Sequence, residues 1–239
     1  MTARRLTAEF VGTALLLVAI VGSGFATSVD GTTATQLFQH AIVVGGALVA
    51  LILTFGHVSG AHFNPAVTLV DAWFGGLERT LAVRYMVAQC AGAVAGVVVA
   101  NLVFAEAAVS IATTRRAGVA LVSSEALATF GLLVVIFGVV RSGNLRAVPG
   151  AVGAYIGAAI FFTPSAALAN PAVTIARALS DTYTGIAPVD VPAYVVAQFA
   201  GAAIAAVLIR WLFAPTPDDA AHVVVDHATT DRPDVGVLP

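Results

Sequence analysis

The chain has 239 residues, of which 59% are hydrophobic and only 10% charged, and its mean hydropathy is +0.95. Such a balance excludes an ordinary water-soluble domain, and a net charge of −2 with no basic cluster excludes a nucleic-acid partner. Cys90 is the only cysteine, which excludes an internal disulfide and argues against a Cys-based metal site; in its apolar run it reads as a small packing residue.

Met1 to Arg5 is a short basic lead. Leu6 to Ser28 then forms a first apolar span interrupted only by Glu9, too long for a secretory signal core, so it reads as retained. Asp30 to Thr35 is a polar loop, and Gln36 to Gly56 is a second span. The stretch HVSGAHFNPAVTL (His57 to Leu69) follows. Asparagine is a preferred N-cap and proline suits the first helical position, so Asn64, Pro65 and Ala66 predict a helix start. Only about 11 residues separate it from Gly75, giving roughly 16 Å of helix at 1.5 Å per residue. A bilayer core is roughly 30 Å thick, so this helix reaches its middle and stops.

Leu77 to Thr80 returns the chain to the surface, and Leu81 to Phe104 is the third span. Ala105 to Gly118 is a loop carrying Arg115 and Arg116, Val119 to Val140 is a fourth span containing Glu125, and Arg141 to Arg146 is a basic turn. Ala147 to Phe162 is the fifth and shortest span. A turn at Thr163, Pro164 and Ser165 leads into the second copy of the word NPAVT, starting at Asn170, Pro171 and Ala172. Leu179 to Asp190 is loop, Pro192 to Phe213 is the sixth span, and Ala214 to Pro239 is a tail with too little apolar content to fold alone.

The two halves are copies. YMVAQCAGAVAGVVVANLVF (Tyr85 to Phe104) aligns without gaps on YVVAQFAGAAIAAVLIRWLF (Tyr194 to Phe213), and AEFVGTALLLV matches SEALATFGLLVV, pairing Glu9 with Glu125. Each half has three spans, so the second enters the membrane from the opposite face and the repeat is inverted. The predicted class is an all-α membrane protein of six spans and two re-entrant half-helices meeting tip to tip. One channel domain covers 1–213, with repeats over about 6–104 and 119–213, and a disordered cytoplasmic tail covers 214–239. With the N-terminus inside, Arg4, Arg5, Arg79, Arg84, Arg141, Arg146, Arg210 and Arg232 are cytoplasmic and only Arg115, Arg116 and Arg177 are outside, as the positive-inside rule requires. The location expected is a plasma membrane, specifically a bacterial inner membrane.

Opposed helix N-termini put partial positive charge at the midplane, and Asn64 and Asn170 there can offer side-chain N–H donors to a passing oxygen. Such a centre repels cations and passes neutral hydrogen-bonding solutes. Glu9 and Glu125 are the only acids deep in the spans, where a charge is costly. Their equivalent places in the repeat favour acceptors for the non-helical backbone over a proton relay. Gly92 and Gly201 read as close helix contacts, and Gln89 and Gln198 as hydrogen-bonding residues within the bundle.

Paired NPA words in a six-span inverted repeat resemble the aquaporin or major intrinsic protein family, from Leu6 to Phe213. The segment NPAVTIARALSDTYTGIAPVDVP resembles, more narrowly, the aquaglyceroporin-like branch encoded with bacterial arsenic-resistance genes. The resemblance implies structural roles for Glu9 and Glu125, a pore-mouth role for His57 and a loop-packing role for His62, and a homotetramer in the lipid bilayer. Transferred by offset from the two motifs, the family's selectivity filter falls on Val44, Ala158, Ala167 and Val173. Val173 stands where most of the family has arginine, so the ring is expected to be wide and apolar. Arg177, one turn further on, reads as a surface residue in preference to a displaced positive group at the mouth.

A passive channel for small uncharged solutes is therefore expected: water, glycerol-like polyols, and neutral metalloid hydroxides or methylated arsenicals. No cofactor, metal or enzymatic activity is expected. The alternatives are a strict water channel, against which the missing filter arginine speaks, and a coupled secondary transporter, for which only the two structural glutamates could hold an exchanging ion.

Overall fold

The computed structural model describes residues 1–26 and 33–213. The end of the first span, the first half of the Asp30–Thr35 loop, and the tail with Arg232 lie outside the described residues. Eight α-helices occur in them: α1 (Thr2–Ala26), α2 (Thr33–Ser59), α3 (Pro65–Phe74), α4 (Arg79–Val103), α5 (Val119–Arg141), α6 (Val148–Phe162), α7 (Pro171–Ala176) and α8 (Val191–Leu212). Six are apolar and long enough to span a bilayer, α6 and α8 each being counted with the 3-10 turn that precedes it.

The two short helices begin as the sequence predicts. Asn64 (φ −151°) and Asn170 (φ −156°) are extended caps with proline following, and each side-chain oxygen accepts from the backbone two residues on, at 2.9 Å from Ala66 N and 3.0 Å from Ala172 N. They end differently. Gly75 closes α3 in the left-handed region (φ 88°), where only glycine is unstrained, whereas α7 tightens after six residues into a 3-10 turn at Arg177–Leu179. The second half-helix is thus shorter than its counterpart, and α2 runs past Gly56 to take in Ser59.

The repeat governs packing. α1 lies on α4 and α5 on α8, while α2 crosses α6 between the halves. A β-carbon on Gly92 would sit 2.2 Å from Phe10 O, and one on Gly201 would sit 2.1 Å from Ala126 O, so the paired glycines permit equivalent backbone contacts in both halves. Tyr85 and Tyr194, also equivalent, are fully buried. On the outside, Trp73, Val87, Val196, Val207 and Trp211 remain exposed, as lipid-facing side chains do when no water has to be avoided.

The loop between α4 and α5 straps the segment that follows α7. Ser110 N donates to Leu179 O (3.0 Å), Ala112 N to Ala178 O (3.0 Å) and Ala187 N to Thr114 O (2.8 Å). Arg115 makes a forked pair with Asp190 at 2.9 and 3.0 Å, which pushes the pKa of that guanidinium up. Arg116 clamps three carbonyls, those of Gly185 (2.7 Å), Tyr183 (3.0 Å) and Ser165 (3.2 Å), and burial lowers its pKa.

Candidate pore and its centre

The non-helical leads into α3 and α7 are unusual backbone. Ala61, Phe63, Ala166, Ala167 and Ala169 all have φ between 45° and 58°, the left-handed region that residues with a β-carbon avoid. Two buried carboxylates hold them there. Glu9 accepts from Ser59 Oγ (2.6 Å), His62 N (3.1 Å), Phe63 N (2.8 Å) and Gln89 Nε2 (2.8 Å). Glu125 accepts from Leu168 N (2.9 Å), Ala169 N (2.8 Å) and Gln198 Nε2 (2.6 Å). Each glutamine also donates to the threonine of its NPAVT word, at 2.9 Å to Thr68 Oγ1 and 2.8 Å to Thr174 Oγ1. A backbone with no helical partners is thereby satisfied inside the membrane.

The half-helices meet through their caps. Asn64 Nδ2 donates to Ala169 O and Asn170 Nδ2 to Phe63 O, both at 2.8 Å, so each motif closes on the carbonyl leading into the other. An amide has two N–H donors, so one on each asparagine is left over, and both asparagines line the central cavity.

Four spans wall that cavity. Spacing by four residues brings His40, Val44, Leu48 and Ile52 of α2 onto it, and Val148, Val152, Ile156 and Ile160 of α6. Each stripe runs over 12 residue steps, or about 18 Å of helix. Leu16 and Ile20 of α1 and Leu132 and Ile136 of α5 fill the gaps, and Val67, Ala167 and Val173 complete the wall. The cavity volume of about 60 Å³ holds roughly four to six waters. Aliphatic walls with polar groups at a few points give a passing solute little to bind except at those points. Among the described residues, no cluster of three or more His, Cys, Asp or Glu side chains could hold a metal.

Of the residues transferred to the filter, Val44, Ala167 and Val173 line the cavity and Ala158 does not. Ala158 is exposed, because it lies about 200° around the helix from Ile156 at 100° per residue, while Ile156 and Ile160 carry the inner face. His57 is also displaced from its expected role. It is exposed on the last turn of α2, one residue past the buried Gly56, and is absent from the cavity wall. His62 instead lines the cavity.

The largest correction concerns Arg177, which is not a surface residue. It is 3% exposed, donates from Nε to Thr184 O, and lines the cavity one turn beyond Val173. His40, also 3% exposed, lines it one turn beyond Val44 and contacts Ser23 Oγ through Nδ1 at 2.7 Å. Two regularities in the sequence point to them: His40 begins the fourfold stripe of α2, and Arg177 lies seven residues, about two helical turns, after Asn170.

A cavity framed by four spans, with two capped half-helices meeting at its centre, defines a polytopic membrane protein built around a pore. The family model for the major intrinsic protein matches residues 1–168 and again 144–236, and the chain belongs to that family. Aquaglyceroporin AqpS of Rhizobium meliloti (strain 1021) is 44% identical over 213 residues, covering 89% of this chain and 91% of its own. A probable aquaporin AqpM of Archaeoglobus fulgidus is 31% identical over 240 residues, covering 88% and 97%. The X-ray structure of the aquaglyceroporin from Plasmodium falciparum superimposes with a TM-score of 0.71 over 87% of this chain and 95% of that one; at 20% identity the likeness is one of fold.

Proposed function

We propose that the chain is a passive channel for water and small uncharged hydroxylated solutes of glycerol size, including neutral metalloid hydroxides. The observation that carries this reading is the centre. Two helix N-termini and two asparagine amides present donors to the centre of a largely aliphatic cavity, which favours a neutral oxygen and opposes a cation. In this reading Asn64, Pro65, Ala66, Asn170, Pro171 and Ala172 form the central barrier, and Val44, Ala167 and Val173 form an apolar narrow ring. Ile156 and Ile160 replace Ala158 in that ring. Glu9 and Glu125 hold the loops and do not form a proton relay.

Family relatives are channels, and AqpS and the Plasmodium protein are named aquaglyceroporins, which supports a polyol-sized permeant. The arginine distribution supports cytoplasmic termini, placing the Arg177 end of the cavity outside and the α3 end inside. Channel domain 1–213, its two repeats and a homotetrameric assembly in a bacterial inner membrane belong to the same reading. Stopped-flow swelling of proteoliposomes with water, glycerol and a neutral metalloid hydroxide tests it. Permeabilities equal to those of empty liposomes would refute a channel, and saturable counterflow would point to a transporter.

A further inference from the structure

The cavity has an apolar ring at Val44 and Val173, but one turn further along it carries two polar side chains that the central barrier does not use. Arg177 spends its Nε–H on Thr184 O, and no other hydrogen bond from it occurs among the described residues. Its two terminal nitrogens therefore keep four N–H donors. The ion pairs among the described residues are His62 with Asp71 and Arg115 with Asp190, so no carboxylate is in ion-pair contact with Arg177, and Glu125 acts on it only at longer range. Arg116 is within electrostatic reach of it and does not compensate it. A buried guanidinium without an ionic partner is costly, and water or a solute in the lumen is what remains to satisfy it.

His40, which lines the same cavity, offers complementary chemistry. Ser23 Oγ donates to Ile20 O (2.9 Å), which leaves that oxygen to accept from Nδ1–H of His40 (2.7 Å). A neutral imidazole protonated on Nδ1 presents Nε2 as an acceptor. Nε2 has no protein partner among the described residues, and the ring lines the cavity. Donor and acceptor thus face one lumen within electrostatic reach of each other. A hydroxyl group needs both: its oxygen accepts from Arg177 and its hydrogen goes to His40.

We propose that Arg177 and His40 form a selectivity site one turn outside the apolar ring, which binds the hydroxyl groups of a small uncharged polyol and rejects cations. The site rests on the channel reading and deepens it. The charge that Val173 lacks is restored four residues later, where the cavity is entered.

The test uses proteoliposomes of the full chain and four variants, with water, glycerol and sodium permeabilities measured on each. Arg177→Met is expected to raise sodium leak at least about tenfold and to lower the glycerol-to-water permeability ratio at least about threefold. Arg177→Lys keeps the charge but loses the planar fork, so leak should stay low while the ratio falls. His40→Leu should lower the ratio without leak, and His40→Gln, which retains an acceptor, should recover part of it. If Arg177→Met does not insert, the lysine and histidine variants still decide the matter. A permeable wild type with inserted variants that leave ratio and leak unchanged overturns this site alone. A wild type that passes neither water nor glycerol overturns the channel reading and the site together.

Discussion

The two half-helices start alike and finish with opposite charges. Counting seven residues from each capping asparagine gives Asp71 in α3 and Arg177 beyond α7, equivalent positions in the repeat. Each has a histidine at its end of the lumen. Arg177 faces the cavity with His40, whereas Asp71 is fully buried behind His62, with His62 Nε2 at 3.6 Å and no hydrogen bond to either carboxylate oxygen. His62 is fixed from its other side by Thr68 Oγ1 at 3.1 Å. Duplication has therefore preserved what holds the backbone, namely glutamate, glutamine, threonine and asparagine, and released what meets the solute. One end presents a guanidinium to the lumen, and the other hides a carboxyl behind an imidazole.

The strongest way to break this comparison is at the anchors, which should behave alike in kind. Glu9→Ala removes the acceptor from four donors and Glu125→Ala from three, and each buried donor left unsatisfied costs about 1–3 kcal/mol. Both variants should lose most of their folded yield in detergent, with Glu9→Ala the less stable by thermal unfolding. A stable Glu9→Ala protein would show that the loops are held by something else.

The lumen should respond asymmetrically. Val173→Arg places a second guanidinium one turn from Arg177, narrowing the passage and adding like charge. Glycerol flux in liposomes should fall at least about tenfold, equivalent to roughly 1.4 kcal/mol of barrier, with water flux falling less. Equal loss of both, or of neither, would take Val173 out of the narrow ring. Asn170→Asp puts a carboxylate between the helix tips, where helix-terminus effects amount to about 0.3–2 kcal/mol. Cation leak should rise several-fold. An inserted variant with no added leak would mean that the asparagine amide does not meet the solute.

The smallest effect is expected at the hidden carboxyl. Asp71→Leu replaces a buried acid that has no hydrogen bond with an apolar group of the same branched shape, which removes a desolvation cost that no hydrogen bond offsets. Glycerol and water permeabilities should stay within about twofold of wild type. A large loss would make Asp71 a functional partner of His62 and the two ends more alike than their geometry indicates.

Sequence reading succeeded where the repeat speaks twice. The NPA starts, the paired glutamates and the close-contact glycines are each marked in both halves, and local capping chemistry is enough to place a helix start at Asn64 and Asn170. It failed where one half departs from the other. The sequence favours a surface place for Arg177, yet the strap of the α4–α5 loop covers that segment, a long-range contact with no local signature. Ala158 was placed by its distance from the second motif, which assumes a fixed length for the non-helical lead; the stripe of α6 overrides it. The family resemblance puts His57 at the pore mouth, and the turn of the helix carries it away from the lumen. Spacing within a helix was the better guide than spacing across a loop.

The crossed amides also bear on how the molecule is made. Asn64 waits for a carbonyl 105 residues later in the chain, and Asn170 for one 107 residues earlier. During synthesis the first half therefore enters the bilayer with an unmated polar tip, and no amount of correct local folding can complete it. The tip has to be sheltered, by lipid headgroups, water or the insertion machinery, until the second half arrives. Quality control at the membrane then has a simple criterion: a chain interrupted before Ala169 carries an open polar end at mid-bilayer, and a finished one does not.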